Sequence, residues 1–263
     1  MDYILPETNL IQIKTMEKLG NSGIFVIEPL SPGYGVTVGN SLRRVLLSSL
    51  EGAAVTSVKI EGVSHEFSTL PAVREDAVEI ILNLKSLRFV MPGNEPVSLK
   101  LSVKGPKEVK AADFNTNPAC TIVNQDVLLA SLGKSGKINL EMLVEKGRGY
   151  VPVEKRRDEK LPLGTIAIDS TFTPVKKIHY EVENTRVGGQ TDFDKLTLEI
   201  STDGSVDPEI ALQKAAKILV EHFDLVQKAF EEASPPKQPK RIAQKTIKRV
   251  TKATKASKKT SKK

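Results

Sequence analysis

From residue 97 to about residue 200, apolar side chains recur at every second position, and this period commits the chain to a sheet-rich fold. In VSLKLSVKG, Val97, Leu99, Leu101 and Val103 alternate with polar or small residues. The alternation returns at Ile138, Leu140, Met142 and Val144, at Ile178, Tyr180 and Val182, and at Leu196, Leu198 and Ile200. Successive strand side chains point to opposite faces, so such runs describe antiparallel strands with one packed face and one wet face. Earlier in the chain GIFVIEPL and AAVTSVKIEG are further strands.

Helical periods interrupt this pattern at three places, which makes the class α+β. VREDAVEIILNLKSL repeats apolar residues at Ala77, Ile80, Ile81 and Leu84, with acidic residues early. DGSVDPEIALQKAAKILVEHFDLVQKAFEE forms a long helix that Asp207 can cap and Pro208 can open. Its apolar stripe runs through Ala211, Ala215, Ile218, Leu219, His222, Phe223, Val226 and Phe230.

The third helix follows a glycine-rich turn in GYGVTVGNSLRRVLLSSL and is expected over residues 37–49, with a stop near Gly52. Gly33, Gly35 and Gly39 miss the dinucleotide fingerprint by one residue, and no G-K-[ST] follows to make a phosphate loop. They are expected to serve a sharp strand-to-helix turn. At 100° per residue Val38, Leu42, Val45, Leu46 and Ser49 share one face, whereas Arg43 and Arg44 flank Leu47 on the other. Arginine beside a projecting aliphatic suits a protein interface better than plain solvent.

Nothing in the chain composes a self-contained active site. His65, His179 and His222 stand apart, without partners at metal-ligand spacing. Cys120 is the only cysteine, which excludes an internal disulfide, fits a reducing cytoplasm and suggests a small core residue. Asp192 and Asp194 in TDFDK could hold Mg²⁺, but no third acid shares their face, so turn and strand-entry hydrogen bonding is the expected role. No window approaches the ~18 apolar residues of a membrane span, and the first residues lack the pattern of a secretory signal.

Charge is divided unevenly. The net +7 comes entirely from residues 234–263, which hold ten Lys and two Arg and no acid; residues 1–233 carry a net −5. With its prolines and lack of apolar period, the tail is expected to be disordered.

The run GYGVTVGNSLRRVLLSSLEGAAVTSVKIEGVSHEFSTL, followed by VREDAVEIILNLK, resembles the alpha subunit of bacterial-type DNA-directed RNA polymerase. EKGRGYVP, FTPVKKIHYEVENTRV, QTDFDKLTLEI and DGSVDPEIAL extend the resemblance in order across roughly residues 5–231. It implies a discontinuous dimerisation domain, residues 1–52 and 170–232, of antiparallel sheet with two main helices. A mostly β insert domain, residues 53–169, interrupts it, and residues 233–263 are the tail. It further implies a homodimer that nucleates polymerase assembly with the beta and beta-prime subunits. The chain itself would be non-catalytic and hold no cofactor. The catalytic Mg²⁺ lies on beta-prime, which uses three aspartates where TDFDK has two, and Zn²⁺ is expected only in the large subunits.

Carried onto this sequence, Arg44 matches a beta-docking arginine, with Arg43 and Leu47 beside it. Tyr34, Leu42, Val45, Leu46 and Phe223 match the dimer interface. TRVGGQTDFDK matches a large-subunit contact segment, including Arg186, Gln190, Asp192, Asp194 and Lys195, with Gln190 where an arginine is common. The family's usual C-terminal DNA-binding domain has no counterpart in the ~30 residues after Glu232. In its place Lys240, Arg241, Lys245, Lys248 and Arg249 are expected to meet promoter DNA phosphates without reading sequence. The expected location is the cytoplasm, at the nucleoid once assembled. Two other readings compete, a free-standing nucleic-acid binder acting through the tail and a small-molecule enzyme using Asp192 and Asp194. The acidic body argues against the first, and missing acid–base partners against the second.

Overall fold

The computed structural model describes residues 12–156, 161–187 and 190–233. Residues 1–221 form one compact unit and residues 222–263 a second, whose described part is helical. The class is α+β. In chain order the elements are β1 (Gln12–Leu19), β2 (Ser22–Leu30), α1 (Tyr34–Ser48), β3 (Glu51–Ile60), α2 (Ala77–Lys85), β4 (Phe89–Val90) and β5 (Val97–Lys104). There follow β6 (Lys107–Lys110), β7 (Thr121–Ile122), β8 (Leu128–Leu132), β9 (Lys137–Arg148), β10 (Tyr150–Val151), β11 (Thr165–Ala167) and β12 (Ser170–Thr171). The chain closes with β13 (Val175–Val187), β14 (Gln190–Thr202) and α3 (Pro208–Ala233).

Two apolar cores divide the first unit. One lies between α1, the start of α3 and an antiparallel sheet of order β1-β2-β14-β13. Leu196, Leu198 and Ile200 of β14 face it and are fully buried, which is the period-two reading made real. The other core lies within residues 55–168, around a sheet of order β5-β9-β3-β4-β7 with β11 on β3. Here β5 shows strict alternation, with Val97, Leu99 and Leu101 buried and their neighbours exposed, and β9 repeats it from Ile138 to Val144. Cys120 belongs to this core, and burial pushes its thiol up to about 11. Its burial among apolar side chains fits a packing role.

Helix α2 forms as its sequence directs. The Asp76 carboxylate accepts the Glu79 N–H at 2.8 Å, Lys85 sits in the last turn, and Ala77, Ile80 and Leu84 are buried. Glu75, just before the helix, is turned toward β8. Its carboxylate accepts the Ser131 N–H at 2.5 Å and the Ser131 hydroxyl at 2.9 Å, pinning the approach to α2 onto β8. Burial pushes its pKa up, but these bonds outweigh burial and hold the carboxyl below its ordinary value.

Helix α3 opens at Pro208 as expected. The Asp207 backbone carbonyl accepts the Ala211 N–H at 2.9 Å, and its carboxylate pairs with Lys18 at 2.7 Å. Ala211 and Ala215 are buried and Ile218 and Leu219 half-buried, whereas Phe223 and Val226 are exposed. The apolar stripe thus passes from buried to exposed positions along the helix.

Two expectations about the glycines are corrected. Helix α1 begins at Tyr34, not at residue 37, so only Gly33 serves the turn, with φ 82° in the left-handed region. Gly52 does not stop the helix. The last turn ends at Ser49, whose N–H donates to the Val45 carbonyl, and Gly52 is already in β3, paired with Gly147 of β9. A Cβ on Gly52 would overlap the carbonyl oxygen of Phe172, so the position is reserved for a close backbone approach. The expected disorder of residues 233–263 and the phosphate contacts of Lys240, Arg241, Lys245, Lys248 and Arg249 lie outside the described residues, apart from the helical Ala233.

Candidate functional site

Helix α1 lies on β13 and β14, and glycine is what lets it lie so close. Gly35, Gly39, Leu42 and Leu46, spaced at helical intervals, form its buried face. A Cβ on Gly35 would come within 2.7 Å of Val182 Cγ1, and one on Gly39 within 2.8 Å of the Tyr180 ring. Each glycine inside a helix costs about 1 kcal/mol of propensity relative to alanine, and here the cost is offset by contact with the sheet.

The opposite face is a stripe of Val36, Asn40, Arg43 and Leu47, with Arg44 beside it, and all five are exposed. Ser41 and Ser48 direct their hydroxyls to the carbonyls of Thr37 and Arg44, both at 2.7 Å, so they offer little to an outside partner. The two arginines differ from three others in the fold. Arg88 pairs with Asp203, Arg148 with Glu51 and Arg156 with Glu145. Arg43 and Arg44 have no acid or hydrogen-bond acceptor among the described residues. Two adjacent unneutralised guanidiniums around an exposed leucine can bind carboxylates and apolar surface together.

The hairpin of β13 and β14 meets the same helix. Asp194 is buried, and its Oδ2 accepts the Gly35 N–H at 2.9 Å. TDFDK is thereby joined to the start of α1, which sequence distance concealed. Asp192 is exposed, and Lys195 pairs with Glu183 at 2.8 Å, a hydrogen bond that raises the lysine's pKa. Arg186 is exposed near the end of β13, and Gln190 opens β14 opposite Val187. Asp194 is thus turned toward the helix start, whereas Asp192 faces outward. Among the described residues no cluster of three His, Cys, Asp or Glu is placed to hold a metal ion, and no helix is long and apolar enough to cross a membrane.

The residues expected at a dimer contact lie in different settings. Leu42 and Leu46 are 5 % and 0 % exposed and pack in the core beneath the helix. Val45 is half-buried, Tyr34 is exposed on α1, and Phe223 is exposed on the second unit. Sequence reasoning missed Val36, 54 % exposed and in line with Leu47. The spacing signal was there, but the helix was expected to start one residue too late to include it.

Residues 58–173 match the family described as the RNA polymerase Rpb3/RpoA insert domain. The DNA-directed RNA polymerase subunit alpha of Alkaliphilus metalliredigens is 51% identical over 81% of this chain and 67% of its own length. That of Symbiobacterium thermophilum is 52% identical over 80% of this chain and 67% of its own. That of Carboxydothermus hydrogenoformans is 50% identical over 85% of this chain and 71% of its own. The chain belongs to the RNA polymerase alpha-subunit family.

As an RNA polymerase alpha subunit, it is a non-catalytic part of a multi-subunit transcription enzyme.

Proposed function

We propose that this chain acts as a homodimeric scaffold and that the exposed face of α1 docks on the beta subunit. The reading rests chiefly on Arg43 and Arg44, exposed and without acid partners among the described residues, on either side of exposed Leu47. A helix backed by a sheet presents these groups in a fixed array, the arrangement that favours a few dominant contact residues. Tyr34 and, on the second unit, Phe223 supply apolar surface for a second copy, and the segment from Arg186 to Lys195 is assigned to large-subunit contact. The reaction's Mg²⁺ is assigned to the large subunits.

Co-purification with the beta subunit tests this reading. Arg44→Ala should stay dimeric by light scattering yet lose about 2 kcal/mol of docking energy, roughly a thirtyfold weaker capture. Equal capture by both forms would remove Arg44 from the docking face.

The charge division favours one further contact. The twelve cations of residues 234–263 are suited to neutralise DNA phosphates, with no sequence preference. Duplex binding by the whole chain should weaken roughly several hundredfold between 50 and 200 mM salt if five cations such as Lys240, Arg241, Lys245, Lys248 and Arg249 each meet a phosphate. A chain cut after Ala233 should not bind; equal binding by the cut chain would refute the tail's role.

A further inference from the structure

Helix α1 has no cap of its own. Gly33, at the N-cap, has no side chain to offer, and the first turn contains no acidic residue. Unpaired N–H groups and the positive end of the helix dipole both call for an acceptor there. The acceptor comes from 159 residues further on, where the Asp194 Oδ2 takes the Gly35 N–H at 2.9 Å. Asp194 sits inside β14, paired to Leu30 of β2 and Asn184 of β13, so three strands fix its position. Gly35 completes the fit, since a Cβ there would crowd Asp194 Oδ2 to 3.0 Å and Val182 Cγ1 to 2.7 Å. The other end of the helix is held from the same return segment, where the Thr173 hydroxyl donates to the Leu47 carbonyl at 3.2 Å.

We propose that Asp194 is a positioning residue for large-subunit docking: its carboxylate clamps the start of α1 and so aims Arg43, Arg44 and Leu47. The role rests on the docking reading above. Arg43 and Arg44 lie eight and nine residues along the helix from Gly35, about 12–14 Å at 1.5 Å per residue. A tilt of about 10° at the clamped end moves their backbone by roughly 2 Å, more than a fixed binding array tolerates. Asp194 itself is buried and need touch no partner.

The test compares Asp194→Ala and Asp194→Asn in the whole chain, co-produced with the beta subunit, with Arg44→Ala alongside. Three quantities are read: amide exchange at Gly35 and Val36 in the chain alone, dimer mass, and beta capture. In Asp194→Ala the two amides should exchange roughly tenfold faster or more, with dimer mass unchanged and capture several-fold lower. Asparagine keeps an acceptor oxygen in the same place and should restore most of both. Unchanged exchange in Asp194→Ala overturns the clamp. Faster exchange with wild-type capture overturns the positioning role, as does Asp194→Asn behaving like alanine on both readouts. If Arg44→Ala alone captures beta normally while Asp194→Ala does not, the docking array fails and the positioning role with it, although faster exchange would still show the clamp. A wild-type chain that captures no beta removes the docking reading and the positioning role with it.

Discussion

Gly52→Ala is expected to destabilise the fold by about 3 kcal/mol or more, at or beyond the upper end of ordinary overpacking. The obstacle is backbone: the new Cβ would overlap the Phe172 carbonyl oxygen, which no rotamer change can move. The neighbourhood is also tied down. The Phe172 N–H donates to the Gly149 carbonyl at 2.8 Å, and Thr173 holds the end of α1. Gly147, across the ladder from Gly52, faces the Phe172 ring instead, with ring carbons 2.7–2.8 Å from a built Cβ. A ring can tilt where a carbonyl cannot, so Gly147→Ala should cost less, about 1–3 kcal/mol. Thermal unfolding followed by circular dichroism reads both. For a chain of this size Gly52→Ala should lower the midpoint by roughly 6–12 °C. A midpoint within about 2 °C of wild type would show that the strand and Phe172 are not so closely apposed.

Adjacent leucines of α1 should respond in opposite ways. Leu46 is fully buried and Leu47 is 38 % exposed. Leu46→Ala removes a packed side chain from the core beneath the helix and should cost about 2–5 kcal/mol. Leu47→Ala should change stability by no more than about 0.5 kcal/mol, yet weaken capture of the beta subunit together with Arg44→Ala. Denaturant titration separates the first pair of effects and co-purification the second. A stability loss at Leu47 as large as that at Leu46 would place both in the core and withdraw Leu47 from the docking face.

Much of this was legible in the residues alone. The alternation at Leu196, Leu198 and Ile200 and at Val97, Leu99 and Leu101 marked strands and their buried faces, because the two-residue period is set by covalent geometry. The helical spacing of Ala77, Ile80 and Leu84 and the Asp207–Pro208 start were equally local. So was the split of α1 into an arginine face and an apolar face.

Errors fell where distant segments meet. Gly35 and Gly39 resemble turn glycines until Val182 and Tyr180 are seen against them, and Gly52 resembles a helix stop until Phe172 is. Leu42 and Leu46 share one helix face in the sequence, and only the fold shows the sheet that lies beneath them. The sequence by itself determined the three helices, the longer central strands, their two-faced character and the family, because these depend on spacings within a few residues. Only the tertiary structure decided which backbone passes within contact of which, and so that Asp194 holds α1. Such approaches depend on packing between residues more than a hundred positions apart, and no local period encodes them.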